Sequence, residues 1–318
     1  MTTETTGKTY KILSLDGGGA KGFYTLGVLD EIEKNVGKPI HKCFDLIFGT
    51  STGAIIAAML ARGDSATDVK DTYTKHVPTV MNPSIGKNRT KTLAHISEAI
   101  FSKTKVSDFK TAIGIVATNW KDERPLIFKA SVKQAHGSEG SFVPFFGCSV
   151  TDAIIASCSA YPYFDTHTVK KSNGDLVELA DGGFCANNPT LYAIADATIA
   201  MKQPHQNLRV VSIGVGAYPE PSAWKKAKRL CGCPGLIKHG LNYNFLQKIL
   251  DTNTRSMEVL QKILFQDVQT IRIHETFVEP EMATDLLEHD VNKLNRLTQK
   301  GRFSYAEQEK QIKAFLTD

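Results

Sequence analysis

The sequence predicts an α/β sandwich built around a mostly parallel sheet, and two observations predict it. Short apolar runs alternate with segments of helical period along most of the 318 residues, which is typical of a parallel sheet covered by helices. No internal repeat and no linker divides the chain. We therefore expect one domain over residues 1–318.

The first half of the chain opens with a strand and a helix. Lys8–Asp16 is an apolar run bounded by glycines, which predicts a buried strand. In Gly22–Val36, apolar residues recur at spacings of three and four, which predicts a helix that ends at Gly37. The next expected elements are a strand at Cys43–Phe48, a helix from Ala54, a helix at Ser65–His76 and a surface loop at Val77–Lys91.

The second half continues the alternation. Two alternating runs flank Ser172-Asn173-Gly174-Asp175, which predicts a β-hairpin over Thr166–Leu179. The other expected strands are Ile113–Asn119, Leu126–Ser131, Leu208–Ile213 and Val268–Ile273. The other expected helices are Thr151–Ala160, Asn188–Met201, Leu241–Phe265, Asp285–Leu297 and Tyr305–Leu316.

The composition excludes several classes of protein. With 42% hydrophobic and 22% charged residues, 24 Gly and 12 Pro, the chain is neither collagen-like nor disordered. Its net charge of +5 fits an anionic partner such as a phosphate or a lipid headgroup, but the basic residues lack the clustering of a duplex DNA binder. Six cysteines are too few for a disulfide scaffold, and Cys231-Gly-Cys233 has no second pair for zinc.

Targeting and membrane segments are not expected. The first residues, MTTETTGK, lack the apolar stretch of a signal peptide. The longest apolar run, Ala54–Ala61, has eight residues, against roughly 20 for a membrane span. We therefore expect a cytoplasmic protein whose contact with a membrane is peripheral.

A glycine cluster, Asp16-Gly17-Gly18-Gly19-Ala20-Lys21-Gly22, lies between the first strand and the first helix. Its spacing satisfies G-x-G-x-x-G, but Val36–Lys42 holds no acid where a dinucleotide site needs one for the ribose. A Walker A loop is excluded because Phe23 follows Gly22. The cluster predicts an anion site or an oxyanion hole made by backbone N–H groups, with a ligand-free tight turn as the alternative.

The second motif, Gly49-Thr50-Ser51-Thr52-Gly53, matches G-x-S-x-G. A strand-like run precedes it and a helix-like run follows it, which predicts a nucleophile elbow with the Ser51 hydroxyl exposed on a sharp turn. Gly49 and Gly53 allow the backbone to approach closely on either side. The pattern is weak in isolation, and a serine that only caps the helix is the alternative.

A serine nucleophile needs a base to accept its proton, and Asp181 is the candidate. It ends the second strand of the hairpin, beside Gly182 and Gly183. Aspartate in an Asp-Gly pair is also common in turns that have no catalytic role. Histidine is the more usual base; of the nine histidines, His167 and His239 are the ones to examine, although neither lies in a convincing strand-end motif.

Together, DGGGAKG, GTSTG and the DGG that begins at Asp181 resemble the motifs of the patatin-like phospholipase family. Ala20 and Val215 depart from the family's usual Ile and Thr, at positions that supply no reacting side chain. The resemblance extends through the segments Cys158–Phe164, Asp181–Pro189 and Ser212–Gly216.

The resemblance implies a patatin-like three-layer α/β/α sandwich. It covers residues 8–216, which we expect to form the core, preceded by a flexible tail at 1–7 and followed by a helical part at 217–318.

The resemblance also implies a hydrolase with a Ser–Asp dyad that cleaves acyl esters of membrane glycerophospholipids without a cofactor or a metal. Ser51 would be the nucleophile and Asp181 its base. Backbone N–H groups of Gly17, Gly18 and Gly19 would form the oxyanion hole, with Lys21, Gly49, Gly53, Gly182 and Gly183 in support. The alternatives are an esterase or thioesterase for soluble acyl substrates and a non-catalytic lipid- or nucleotide-binding module.

The chain is further similar to bacterial antiphage phospholipase effectors of the CBASS type, which cyclic oligonucleotides switch on. A compact domain with a short helical tail and the segment Leu286–Asp290 carry this similarity. It implies a cyclic di- or trinucleotide activator, a phosphate-binding regulatory pocket and action at the inner membrane surface, while duplex nucleic acid is not an expected partner and an oligomer stays open.

The segment Trp224–Leu230 packs four cations and one Trp into seven residues. It is interpreted as a lid over Ser51, a contact with an anionic membrane or, as is commoner for such runs, a solvated helix face.

Overall fold

The computed structural model describes residues 8–82, 88–219 and 234–317, and the side chains of 234–244 are outside that description. The expected tail at 1–7 and the basic segment Trp224–Leu230 therefore lie outside the described residues. The strands are β1 (Tyr10–Leu15), β2 (Leu46–Thr50), β3 (Ala112–Asn119), β4 (Arg124–Lys129), β5 (His167–Lys170), β6 (Leu176–Asp181), β7 (Leu208–Ile213) and β8 (Gln269–Ile273). The helices are α1 (Gly22–Val36), α2 (Ile40–Cys43), α3 (Thr52–Arg62), α4 (Ala66–Met81), α5 (Arg89–Phe101), α6 (Val150–Ser157), α7 (Gly183–Ala186), α8 (Thr190–Ala195), α9 (Pro234–Leu264) and α10 (Val291–Thr317).

The eight strands form one mixed sheet in the order β5-β6-β3-β2-β1-β7-β8, with β4 paired to β3. The five central strands β3, β2, β1, β7 and β8 are parallel to one another. The hairpin β5–β6 and strand β4 join antiparallel. The predicted sheet, mostly parallel, is confirmed.

Alternate residues of the central strands enter two separate hydrophobic cores, as the two-residue period of a strand requires. Leu13 and Leu15 of β1 belong to the core that also contains residues of α1, α3 and α10. Ile12, the residue before Leu13, belongs to the core that contains Ala193 and Ile194 of α8. Helices therefore cover both faces of the sheet, which confirms the predicted three-layer α/β/α sandwich.

The pairing of β3 brings the ends of two other strands together. Strand β4 occupies one edge of β3 over residues 114–119. On the other edge, Thr50 at the end of β2 pairs with Val116, and Asp181 at the end of β6 pairs with Ala117. Because β2 and β6 approach from opposite directions, their carboxyl ends meet, and the residue after Thr50 lies against Asp181.

The last part of the chain differs from the expected pair of helices. The prediction of separate helices at Asp285–Leu297 and Tyr305–Leu316 is wrong, because α10 is one continuous helix from Val291 to Thr317. Gly301 does not interrupt it: a Cβ there would clash with the carbonyl oxygen of Tyr24 in α1. The glycine therefore permits close packing of α1 and α10 and does not end the helix.

The prediction of a surface loop at Val77–Lys91 is also wrong at both of its ends. Helix α4 continues to Met81, with Pro78 inside it, and α5 begins at Arg89. Helix α5 occupies residues for which the sequence pattern predicts no element, and together with α4 it forms one wall of the cavity described below.

Candidate active site

Ser51 stands at the turn between β2 and α3 with φ 53° and ψ −121°, a conformation that non-glycine residues rarely adopt. A Cβ at Gly49 would clash with the carbonyl oxygen of Gly53, and a Cβ at Gly53 would clash with that of Leu15. The two glycines are therefore needed for the turn to close against β1. This strand–turn–helix geometry is that of a nucleophile elbow.

Asp181 is the last residue of β6, and its side chain is 2% exposed. Its Oδ2 accepts a hydrogen bond from Ser51 Oγ at 2.6 Å. Its Oδ1 accepts a hydrogen bond from the backbone N–H of Gly183 at 2.7 Å. A Cβ at Gly182 would clash with the carbonyl oxygen of Val116, so this glycine allows the chain to turn tightly after Asp181.

The environment of Asp181 makes it a base suited to neutral pH. Burial raises the pKa of this carboxyl from its usual 3.8 to about 7, while the hydrogen bonds from Ser51 and Gly183 oppose the shift. A base is most effective when its pKa lies near the working pH. Asp181 can therefore accept the Ser51 proton across their hydrogen bond.

Ser157, the last residue of α6, holds the backbone of Ser51. Its Oγ accepts a hydrogen bond from the backbone N–H of Ser51 at 2.9 Å and donates one to the carbonyl oxygen of Val116 at 2.6 Å. The side chain is fully buried. Sequence reasoning did not identify this residue, because its contact with Ser51 spans 106 positions.

The glycine cluster approaches Ser51, but its three N–H groups differ. The N–H of Gly17 donates to the carbonyl oxygen of Asn187 at 2.9 Å and is engaged. Within the described residues, the N–H groups of Gly18 and Gly19 have no acceptor, and both glycines line the cavity that contains Ser51. Of the three expected oxyanion donors, Gly17 is therefore not free in this structure.

Lys21 is 4% exposed and is not among the residues that line this cavity. Burial lowers the pKa of its ammonium, while the carboxylates of Asp251, Asp285 and Asp16 oppose the shift. No carboxylate of the described chain lies within ion-pair distance of its Nζ.

Helix α9 holds the segment that follows Asp181, a contact that sequence reasoning missed. Asn253 accepts a hydrogen bond from the Asn187 N–H at 2.8 Å and donates one to the carbonyl oxygen of Cys185 at 3.0 Å. Thr254 Oγ1 accepts a hydrogen bond from Asn187 Nδ2 at 2.7 Å. The carboxyl-terminal part of the chain thus takes part in building the site.

A narrow apolar cavity of about 80 Å³ opens beside Ser51 and Asp181. Its walls come mainly from α4 and α5, which supply Tyr73, Val80, Leu93, Ile96 and Phe101 among others. His76 also lines it, and burial lowers the pKa of that imidazole. Such a surface is complementary to a hydrocarbon chain.

The histidine alternatives lie elsewhere or outside the description. His167 Nε2 is 2.9 Å from Asp152 Oδ1 and does not line the cavity. The side chain of His239 is outside the described residues. In the part of the chain that the structure describes, no three His, Cys, Asp or Glu side chains are grouped to hold a metal ion.

The described ranges include no single helix that is both long and apolar enough to cross a membrane. One pair of short helices, 139–147 and 150–157, meets the length and composition criterion together but is bent by 76°.

The comparisons with known proteins agree with this geometry. The family model "Patatin-like phospholipase" matches residues 13–194. The chain is 52% identical to a "cUMP-AMP-activated phospholipase" of Escherichia coli, over 96% of this chain and 93% of that protein. It is 29% identical to a "cGAMP-activated phospholipase" of Escherichia coli (strain TW11681), over 64% and 61%, and 28% identical to one of Pseudomonas aeruginosa (strain BWHPSA011 / Pa011), over 65% and 62%. The chain belongs to the patatin-like phospholipase family.

Proposed function

We propose that Ser51 and Asp181 are the catalytic dyad with which this chain hydrolyses acyl esters of membrane glycerophospholipids. The single observation that carries the proposal is the 2.6 Å hydrogen bond from Ser51 Oγ to Asp181 Oδ2. It joins a strained, partly exposed serine to a buried carboxyl whose pKa of about 7 suits a base.

The reaction then proceeds in two steps. Ser51 Oγ attacks the ester carbonyl carbon while Asp181 Oδ2 takes its proton and passes it to the departing alcohol. Water attacks the resulting acyl-enzyme, with Asp181 again the base, and Ser51 is regenerated. The acyl chain lies in the apolar cavity between α4 and α5.

The developing oxyanion is held by the N–H groups of Gly18 and Gly19, which are unpaired and line the same cavity as Ser51. Each such donor contributes about 3–4 kcal/mol to transition-state stabilisation in other hydrolases. Gly17 supports the loop through its bond to Asn187. Lys21, a buried residue of the same cluster, supports the loop.

The activity is switched on by a cyclic di- or trinucleotide at the inner membrane surface, with peripheral contact. The relatives named as activated by cUMP-AMP and by cGAMP support this regulation. The cavity beside Ser51 is also narrow, about 80 Å³, against roughly 300–1,000 Å³ for ordinary ligand pockets. The walls must separate before an acyl chain enters, as expected of an enzyme that awaits an activator.

Hydrolysis of phospholipid liposomes, with and without cUMP-AMP or cGAMP, tests the proposal. We expect hydrolysis that depends on one of these nucleotides and that is lost in the Ser51→Ala variant, which removes only a small hydroxyl and should fold normally. Full activity of that variant would contradict the proposal. Turnover of soluble short-chain esters without turnover of liposomes would favour a general esterase.

The role of Asp181 is tested separately. We expect the Asp181→Asn variant to lose at least about 10³-fold in kcat, since the amide cannot accept the serine proton. Wild-type activity of this variant would assign the base to another residue, and His76 is a histidine that lines the cavity.

A further inference from the structure

A second cavity lies apart from Ser51, between β4, the loop after it and the turn of the β5–β6 hairpin. It is bounded by Pro125, Ile127 and Lys129 of β4, by the stretch 134–146 and by Lys171–Asn173, and we call it the hairpin groove. It encloses about 570 Å³, within the range of roughly 300–1,000 Å³ for ligand pockets. It shares no lining residue with the active-site cavity.

The walls of the hairpin groove carry two lysines, one histidine and no acids. Lys129, His136 and Lys171 line it, and none of its lining residues is Asp or Glu. Lys129 and His136 both contact Asp196, whose side chain is 2% exposed. Lys171 makes no ion pair in the described chain, and the ring of Phe146 holds its Nζ at the wall, 5.3 Å from the ring centroid. An anion with more than one phosphate fits this distribution of charge.

The groove also offers groups that recognise a nucleobase. Phe142 is half-buried and lines the groove, and an aromatic ring in a groove wall can stack with a base. Ser138 and Ser172 are exposed residues of the wall, and their hydroxyls make no hydrogen bond to the described chain. Hydroxyl groups of this kind donate to and accept from base edges.

We propose that the hairpin groove is the binding site of a cyclic dinucleotide, with its phosphodiesters at Lys171, Lys129 and His136 and a base stacked on Phe142. The assignment rests on the proposed function, in which such a ligand activates the enzyme. The active-site cavity is a poor alternative because it is mostly apolar and encloses only about 80 Å³.

The walls of the groove continue into the elements that carry the dyad. The N–H of Ser172 donates to the carbonyl oxygen of Phe146 at 2.8 Å, which joins the hairpin turn to the loop. From the turn, β6 runs to Asp181; from the loop, α6 runs to Ser157, which accepts the N–H of Ser51. A ligand that binds in the groove therefore contacts segments that lead directly into β6 and α6, the two elements that position the dyad.

The test measures binding by isothermal titration of the full chain, in a Ser51→Ala background, with cUMP-AMP and with cGAMP. Lys171→Glu replaces a phosphate partner by a repelling charge, so we expect affinity to fall about 10- to 100-fold. Ser138→Trp should weaken binding similarly by filling the groove. Lys170→Glu is the matched control: the same charge change on an exposed neighbour outside the groove, with an expected change within about twofold.

The assignment is overturned if the Lys171→Glu, Ser138→Trp and Lys170→Glu variants bind with equal affinity. It is also overturned if the parent protein binds neither cUMP-AMP nor cGAMP. Liposome hydrolysis with Ser51 intact is scored separately. Binding at the groove without hydrolysis refutes the proposed function alone. Nucleotide-dependent hydrolysis that the Lys171→Glu protein performs at the parent's activated rate keeps the proposed function and rejects the groove.

Discussion

At the residue scale, the chemistry depends on how one carboxyl is solvated. Asp181 lies at the end of β6, shielded from water, and its two oxygens accept hydrogen bonds from Ser51 and Gly183. Burial outweighs these bonds, so that the pKa rises to about 7. The same burial that raises this pKa makes the ionised carboxylate costly to the fold.

The first consequence is a pH-dependent rate. If Asp181 must be ionised to accept the Ser51 proton, kcat/KM should rise with pH and level off above about 7, falling about tenfold per pH unit on the acid side. A soluble neutral ester is the substrate to use, because phospholipid headgroups titrate as well. An acid limb with a midpoint near the ordinary aspartate pKa of about 4 would contradict the buried-base assignment.

The second consequence concerns stability, and its sign follows from the raised pKa. Between about pH 4 and about pH 7 the native state holds a proton that the unfolded state has lost, so unfolding becomes easier as pH rises. Asp181→Asn has no charge to desolvate. Its free energy of unfolding relative to wild type should therefore grow by about 1.4 kcal/mol per pH unit across that window. Urea unfolding at about pH 5 and about pH 8 measures the difference, and a constant offset would refute the linkage.

At the element scale, helix α9 forms hydrogen bonds with the segment that follows Asp181. Asn253 and Thr254 hold Asn187, and the N–H of Gly17 donates to the same residue's carbonyl oxygen. Asn187 Oδ1 has no hydrogen-bond partner among the described residues and lies close to where a Cβ of Gly17 would be. A single asparagine thus links α9, the glycine cluster and the segment that follows Asp181.

Thr254 is therefore a positioning residue, which a threonine-to-valine exchange tests with little change of shape. Thr254→Val removes the 2.7 Å acceptor of Asn187 Nδ2, so one N–H of this amide is unpaired and the other keeps its 3.3 Å bond to the carbonyl oxygen of Gly17. We expect kcat to fall about tenfold with KM for a soluble ester nearly unchanged, since an unpaired buried donor costs about 1–3 kcal/mol. Thr252→Val, on an exposed position of the same helix, is the control and should behave as wild type. A rise in KM alone would indicate a binding role instead.

The residues that sequence reasoning found and those that it missed differ in how local their signals are. Ser51 follows a strand between Gly49 and Gly53, and Asp181 ends a strand beside two glycines, so a few neighbouring residues identify each of them. The contact of Asn187 with Thr254 spans 67 positions and leaves no pattern in either segment. The close packing of Gly301 against Tyr24 of another helix likewise leaves no local pattern.

At the scale of the whole molecule, one ion pair ties the first strand to the last. Asp16, directly after β1, is 1% exposed and accepts hydrogen bonds from Arg272 of β8 at 2.9 and 2.5 Å. Arg272 also donates to Ser212 of β7 at 2.8 Å. Asp16 begins the glycine cluster, so the carboxyl-terminal part of the chain anchors that cluster. We propose on this ground that the described chain folds as one unit.

The Arg272→Met variant tests whether the described chain unfolds as one cooperative unit. It leaves the Asp16 carboxylate buried without its partner, which should lower the free energy of unfolding by about 3–5 kcal/mol. Because Asp16 starts the glycine cluster, esterase activity should fall as well. If the chain is one cooperative unit, fluorescence and circular dichroism will report a single urea transition that shifts as a whole.

The double variant Asp16→Asn/Arg272→Met removes both charges and should recover much of the lost stability, because the penalty comes from the carboxylate that is left without its partner. Two separate transitions, with only one of them shifted, would instead divide the chain into independent domains.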